Sequence, residues 1–413
     1  MNKLHFTRYW ILLFFSLPFL LFSKTPKPSL LVYGSNMEAY VAALQAAASG
    51  VPTLWVNPQS YTCEQDRFGL KDNSEGKKLD GGVVTQFITN KEGQADSVNN
   101  FFQNGKKQSY SVLSKDNLFL TVVNSEDIVK IEQGKSWKFT LTNKKSYDVR
   151  VVLDASEGNI LVKKTKLGNL PALNFIKSKD LDIAKARSIA LITEFYNDIY
   201  VSGLTDLFTQ KENFFVVDSK AFPAEINKSY LLSYAQVMGA IAGYCTFFKT
   251  TVDKVDLRTF QNELLMFRGR LLPTLDVSYG DKNFMSLQRM FLTGILPLRV
   301  QDDGLHFDFS DSVRVADIKP IINQFYSRAQ LWFVDNNPEY LTVQDALNLI
   351  KYTSFRGEEL DVEVKRKWNK DFTFKADYDS SKIISRYEFA VLFDLYASPF
   401  VKKVSQDGKT ILR

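Results

Sequence analysis

The sequence predicts an α/β fold that ends in a small, mostly helical domain. Two observations carry this reading. The stretch "LLVYGSNMEAYVAALQAAASGVPTLWV", Leu30 to Val56, has the order strand, tight turn, helix, strand. Beyond "PTLDVSYGDKN" the pattern changes to short helical units, which places a domain boundary near residue 276.

Each element follows from its residues. "SLLVY" is a compact apolar run suited to a buried parallel strand. "MEAYVAALQAAASG" is rich in helix formers and stops at Gly50, and "VPTLWV" is the second strand. Residues 59–110 are polar and Gly-containing, and read as a long excursion. From Asn117 to Ser156 the chain alternates like a set of β-strands, with turns at "EQGKS" and "TNKKS". "NFFVVDSKAF" leads into a long helix from about Ser229 to Phe248, and "VDLRTFQNELLMFRGRLLP" is an amphipathic helix closed by Pro273. Further on, "NFMSLQRMFLTGIL", "YLTVQDALNLIKY" and "IISRYEFAVLFDLY" share a loose apolar spacing that does not establish a solenoid.

Composition narrows the function. The 413 residues are 45% hydrophobic and 24% charged, those of a globular chain, and 33 Phe with 18 Tyr can fill a substantial core. The formal charge of +6 is mild and its basic residues are scattered, so no nucleic-acid partner is expected. Lys3 and Arg8 precede the apolar "ILLFFSLPFLLF", the layout of a secretory signal peptide over residues 1–23. Cleavage near Ser23 leaves an exported, periplasmic or extracellular chain with no membrane span; an uncleaved anchor is the alternative.

Cys63 and Cys245 are the two cysteines, and they pair only if the fold brings them together; Cys245 lies in an apolar helical pattern that suits a buried, inert thiol. His306 is the one histidine after the signal segment and alternates with apolar residues, as an ordinary strand residue does. Histidine-based zinc sites are excluded, and triad hydrolysis has a single possible base. Redox chemistry on a cofactor needs fewer protein groups.

The turn after the first strand has the spacing that binds a pyrophosphate, G-x-G-x-x-G, with Gly34, Asn36 and Ala39 in the three glycine places. Gly34 suits the turn and Ala39 is an accepted small substitute. Asn36 brings a Cβ to the point of closest approach, although its amide could donate to phosphate. At the end of the second strand, where an acid normally holds the adenosine ribose, stands Asn57. A unit kept for folding alone is the competing reading of this turn.

The order of motifs resembles the FAD-dependent oxidoreductase family of bacterial envelopes and secretomes. "VYGSNMEAYVAALQAAASG" is similar to that family's opening, usually a variant of VYGGTPAGVAAAIAAARAG, with Ser35 in the phosphate turn. "LDGGVVTQFIT" is similar to its Gly-Gly segment, which implies Gly81 and Gly82 near a flavin. "VRVVLDASEGNILVKK" resembles its IDATGDGDLA turn, aligning Asp154, Ala155, Ser156, Glu157 and Gly158. "NFFVVDSKAF" with "LLSYAQVMGAIAGYCTFF" resembles the closing strand and helix, which implies Gln236, Gly239 and Gly243 against the ribityl and phosphate region.

The resemblance covers most of residues 30–275 and implies a glutathione-reductase-like, FAD-type Rossmann domain over 24–275, bound FAD, and a helical domain over 276–413. It also implies an oxidoreductase of unknown small-molecule substrate. Departures fall on the cofactor: Asn36, Asn57, and Asp218 where the family has glycine. The chain from Asn159 to Asn213 is also too short for the family's substrate domain. A second class of function is therefore open, a non-catalytic descendant that binds or scaffolds in the envelope through its tail. That tail resembles S-layer homology helices, which implies an envelope polysaccharide partner and contacts at Arg386 and Glu388; a solvated helix start is the plain alternative.

Overall fold

A computed structural model describes residues 26–62, 81–84, 119–167, 173–196, 198–207, 213–223, 226, 228–302 and 304–411. The signal segment, Cys63 and most of the excursion over 59–110 lie outside the described residues.

Five parallel strands form the central sheet: β1 (Leu30–Tyr33), β2 (Thr53–Asn57), β3 (Leu120–Asn124), β7 (Val151–Asp154) and β11 (Phe214–Val216). Their order is β11-β7-β1-β2-β3. Between β3 and β7 the chain makes a separate antiparallel sheet of β4 (Ile128–Gln133), β5 (Trp137–Leu141) and β6 (Ser146–Val149).

Alternation along β1 explains the layers. Leu30 and Val32 face one side with Trp55, against α1 (Met37–Ala48) and the helix Lys228–Phe247. Leu31 and Tyr33 face the other side, packed with Trp137, Phe139 and Leu141 of the small sheet. Both faces are covered, so β1 and β2 are buried at every position, as uninterrupted apolar strands require.

After β7 come α2 (Ile160–Thr165), β8 (Ile176–Lys177), α3 (Ile183–Ser188), β9 (Ile189–Phe195) and β10 (Asp198–Gly203), with β8, β10 and β9 forming a short antiparallel sheet. The helix Lys228–Phe247 is α4, followed by α5 (Leu257–Met266) and α6 (Phe284–Thr293). A hairpin of β12 (Arg299–Gln301) and β13 (Gly304–His306) carries His306 as a strand residue. The remaining helices are α7 (Val315–Phe325), α8 (Ala329–Asp335), α9 (Val343–Ser354), α10 (Glu359–Lys367) and α11 (Arg386–Ala397). One apolar cluster runs from Leu30 to Val404, so the core is continuous across residue 276.

The tail contains a three-membered repeat, but its first member differs from the expectation. Val313 donates its N–H to Ile384, Ile384 to Leu341, and Leu341 back to Val313, at 3.2, 2.9 and 3.1 Å. Each of these buried residues precedes the start of a helix: α7, α9 and α11. The repeating unit therefore begins at Ser312, whereas "NFMSLQRMFLTGIL" forms α6 and stays outside the ring. Three short extended pieces satisfy one another's backbone in a closed cycle, which differs from the open stack of a solenoid.

Candidate functional site: the crevice at the Gly34 turn

In an open parallel sheet a ligand binds beyond the carboxyl ends of the strands, where the strand order reverses. Here that point lies between β1 and β7, at Gly34 and Ala155. A Cβ on Gly34 would stand 2.9 Å from both the carbonyl carbon and oxygen of Ala155, and its φ is +149°. Glycine is therefore required by backbone contact alone. The Trp55 indole donates to the Gly34 carbonyl at 2.9 Å and fixes the turn from below.

Asn36 occupies the crevice itself. Its Oδ1 accepts the Ala39 N–H at 2.9 Å, capping α1, and its Nδ2 donates to the Ala155 carbonyl at 2.8 Å. The side chain thus bridges the turn after β1 to the turn after β7, across the switch point. One N–H that would face a phosphate is already used. Ser35 is also engaged, its hydroxyl accepting from Gln59 N–H at 2.9 Å.

Asn57 is buried at the end of β2 and holds the next turn. Its Oδ1 accepts Tyr61 N–H, and its Nδ2 donates to the Tyr61 carbonyl and to Asn124 Oδ1, each at 2.9 Å. Both amide protons are spent, and Oδ1 already accepts one N–H.

The turn after β7 is a helix cap. Asp154 is fully buried and accepts four bonds, from Ser156 N–H and Oγ–H and from the Leu161 and Val162 N–H groups. Burial pushes its carboxyl up, against these four donors. Ser156 in turn accepts Ile160 N–H at 2.8 Å, Glu157 is exposed, and Gly158 turns the chain at φ +77°.

The remaining implied contacts have partners within the protein. Gly81 lies where a Cβ would meet the Arg268 carbonyl at 2.6 Å, and Gly82 where it would meet Gln236 Oε1 at 2.2 Å. Gln236 accepts Val83 N–H at 3.2 Å and donates to Gln45 at 2.8 Å, so its amide clasps the Gly-Gly segment to α1. Gly239 faces α1, where a Cβ would stand 2.4 Å from the Ala42 carbonyl, and Gly243 touches Ala46. These two glycines allow the close crossing of α4 over α1. Asp218 caps the short turn after β11 by accepting Lys220 N–H at 3.1 Å.

The space beside this segment is small. Gly81, Ile192, Gln236 and Leu271 line a cavity of about 20 Å³. That volume holds roughly one water. Among the described residues, the side chains at the turn and at Gln236 do not fit FAD as placed.

Other expectations resolve simply. Cys245 is buried and its thiol is pushed up to about 12, an inert group. Asp276, His306 and Asp308 each bring an atom within 4.8 Å of the others, but Asp276 already accepts the N–H groups of Phe307 and Asp308. Arg386 and Glu388 are buried, contrary to both sequence readings. Arg386 donates to the carbonyls of Phe307 and Pro297, and Glu388 closes a capping box with Ser385 and pairs with Lys382.

Sequence reasoning missed a buried arginine pair. Arg187 Nε and Arg258 Nη2 donate to the carbonyls of Thr293 and Leu292, at the carboxyl end of α6. No local pattern marks them, because their partners lie far along the chain.

Parallel sheet, switch-point crevice and glycine turn together define a Rossmann-type frame. Comparison with family profiles and with curated proteins finds no match. Among solved structures, the chain is similar to the bacillithiol disulfide reductase of Staphylococcus aureus (15% identity, TM-score 0.19), covering 38% of this chain and 44% of that one. It is similar to a flavoprotein/dehydrogenase from Cytophaga hutchinsonii (14% identity, TM-score 0.29, 65% of this chain and 92% of that one). A third is the bacillithiol disulfide reductase of Bacillus cereus (9% identity, TM-score 0.26, 53% and 99%). At these scores the fold assignment rests on the strand order and the Gly34 turn. Among the described residues, no helix is long and apolar enough to cross a membrane.

Proposed function

We propose that this chain is a non-catalytic descendant of the FAD-dependent oxidoreductases, exported to the cell envelope and acting there as a binding or scaffold protein. The carrying observation is Asn36, whose side chain spans the crevice from the α1 cap to the Ala155 carbonyl. Asn57 and Gln236 support it, because the groups that would greet ribose and flavin are spent on the protein. With the sheet serving as a frame, binding falls to the helical part. Burial of Arg386 and Glu388 removes those two side chains as contacts for an envelope polysaccharide.

The test is to purify the chain, add FAD, and pass the mixture through gel filtration while recording visible absorption. The expected protein peak is colourless. Flavin bands travelling with the protein at a fixed ratio would return the chain to the oxidoreductases.

A further inference from the structure

Where α5 meets the helical part, an open cleft of about 570 Å³ has walls with three cationic side chains against two carboxylates. Arg258 and Asp256 come from the start of α5, Arg289 from α6, Asp394 from α11, and Lys403 from the segment after it. Arg258 is 5% exposed, and among the described residues no carboxylate lies within ion-pair distance of it. It is held by Gln261 at 2.8 Å and the Leu292 carbonyl at 2.9 Å, with its Nε unpartnered.

Arg289 is similarly under-used. It donates to Asn262 at 2.8 Å, stands 3.9 Å from Asp394, and its Nε has no partner. The two guanidinium groups flank Phe400, at 4.9 and 5.7 Å from the ring centre. Asp256 spends its carboxylate on capping α5, through Thr259. Burying a cation without a counter-charge is costly, and dipoles from the end of α6 offset only part of it.

We propose that this cleft binds a small solute through an oxyanion, a carboxylate or a phosphate group, set against Arg289 and Lys403 with the charge of Arg258 behind them. The proposal uses none of the residues at the Gly34 turn and holds whether or not flavin binds there. Asp394 is the built-in competitor. Burial pushes its carboxyl up to about 6, with Arg289 and a bond from Ser286 opposing. Of the other titratable groups, Tyr326 just after α7 interacts with it, and Arg258, Asp256 and Lys403 line the same cleft. Protonating Asp394 removes a negative charge from the wall, so an anion binds more tightly as pH falls through that value.

Calorimetric titration of the full chain with inorganic phosphate, and separately with acetate, tests the chemistry and tells the two groups apart. Saturable binding of at least one is expected. It is lost in Arg289→Gln and weakened in Lys403→Met, an exposed position where folding is not at stake. Asp394→Asn tightens binding at neutral pH by about tenfold, the scale of one nearby charge in a partly solvated site. Sulfate, whose charge is constant from about pH 7.5 to about pH 5, tightens by a similar factor in the parent chain and not in Asp394→Asn. No saturable binding of any of the three anions, or binding indifferent to both Arg289→Gln and Lys403→Met, would overturn the proposal.

Discussion

The two crevices of this molecule differ in how their polar groups are used. Around the Gly34 turn, three polar side chains have partners inside the protein: Asn36 with Ala155 and Ala39, Asn57 with Tyr61 and Asn124, Gln236 with Gln45 and Val83. In the cleft beside Phe400, the Nε of each of two guanidinium groups is unpartnered; Arg289 stands 3.9 Å from Asp394, and among the described residues no carboxylate pairs with Arg258. The first crevice satisfies these side chains internally, whereas the second carries three cationic side chains against two carboxylates. The contrast teaches that a motif can survive in sequence after its groups have been redeployed.

The largest expected effect breaks the frame. Gly239→Val places a side chain against the Ala42 carbonyl, already 2.4 Å from an ideal Cβ. Denaturant unfolding is expected to show a loss of about 3 kcal/mol or more. A tolerated valine would mean that the α1–α4 crossing is not the reason for this glycine.

The next prediction concerns the cleft and is a gain. The folded-state pKa of Asp394 lies above its unfolded value, so the folded protein holds this proton more tightly. Its contribution favours folding most below pH 4 and is lost as pH rises through about 6. Asp394→Asn is therefore expected to stabilise the protein above pH 6 by about 2 kcal/mol and to lose that gain below pH 4. Melting temperatures across this range check the sign. A destabilised variant at neutral pH would show that the Arg289 pairing outweighs burial.

A smaller loss, about 1–2 kcal/mol, is expected for Asn36→Ala, which removes a helix cap and the bond to Ala155. Chemical denaturation measures it. An unchanged stability would mean that Asn36 is kept for a ligand and not for the fold. Ser35→Ala is smallest, within about 0.5 kcal/mol, because its bond to Gln59 is exposed.

Much of this was legible in the sequence. The β1–α1–β2 unit follows from local signals: an apolar run, a glycine turn, an alanine-rich helix. The spacing marks Gly34 as a turn glycine, but the Ala155 backbone that leaves no room for a Cβ comes from the next turn of the sheet and shows in no local window. The contacts of Gly239 and Gln236 with Ala42 and Gln45 are not legible, because they lie across a helix crossing that no sequence window displays. Arg386 was read as a surface charge because the carbonyls that hold it, from Phe307 and Pro297, belong to a hairpin far upstream. Charge at a helix start ordinarily signals solvent. Here it signals a buried clasp between α11 and the backbone at Pro297 and Phe307, on either side of the β12–β13 hairpin.

The central claim is that the Gly34 crevice is closed by its own side chains. Thermal unfolding of the purified chain, with and without a large excess of FAD, tests it most directly, because any ligand bound only by the folded state raises the melting temperature. The account predicts coincident transitions. A shift that grows with FAD concentration would contradict it.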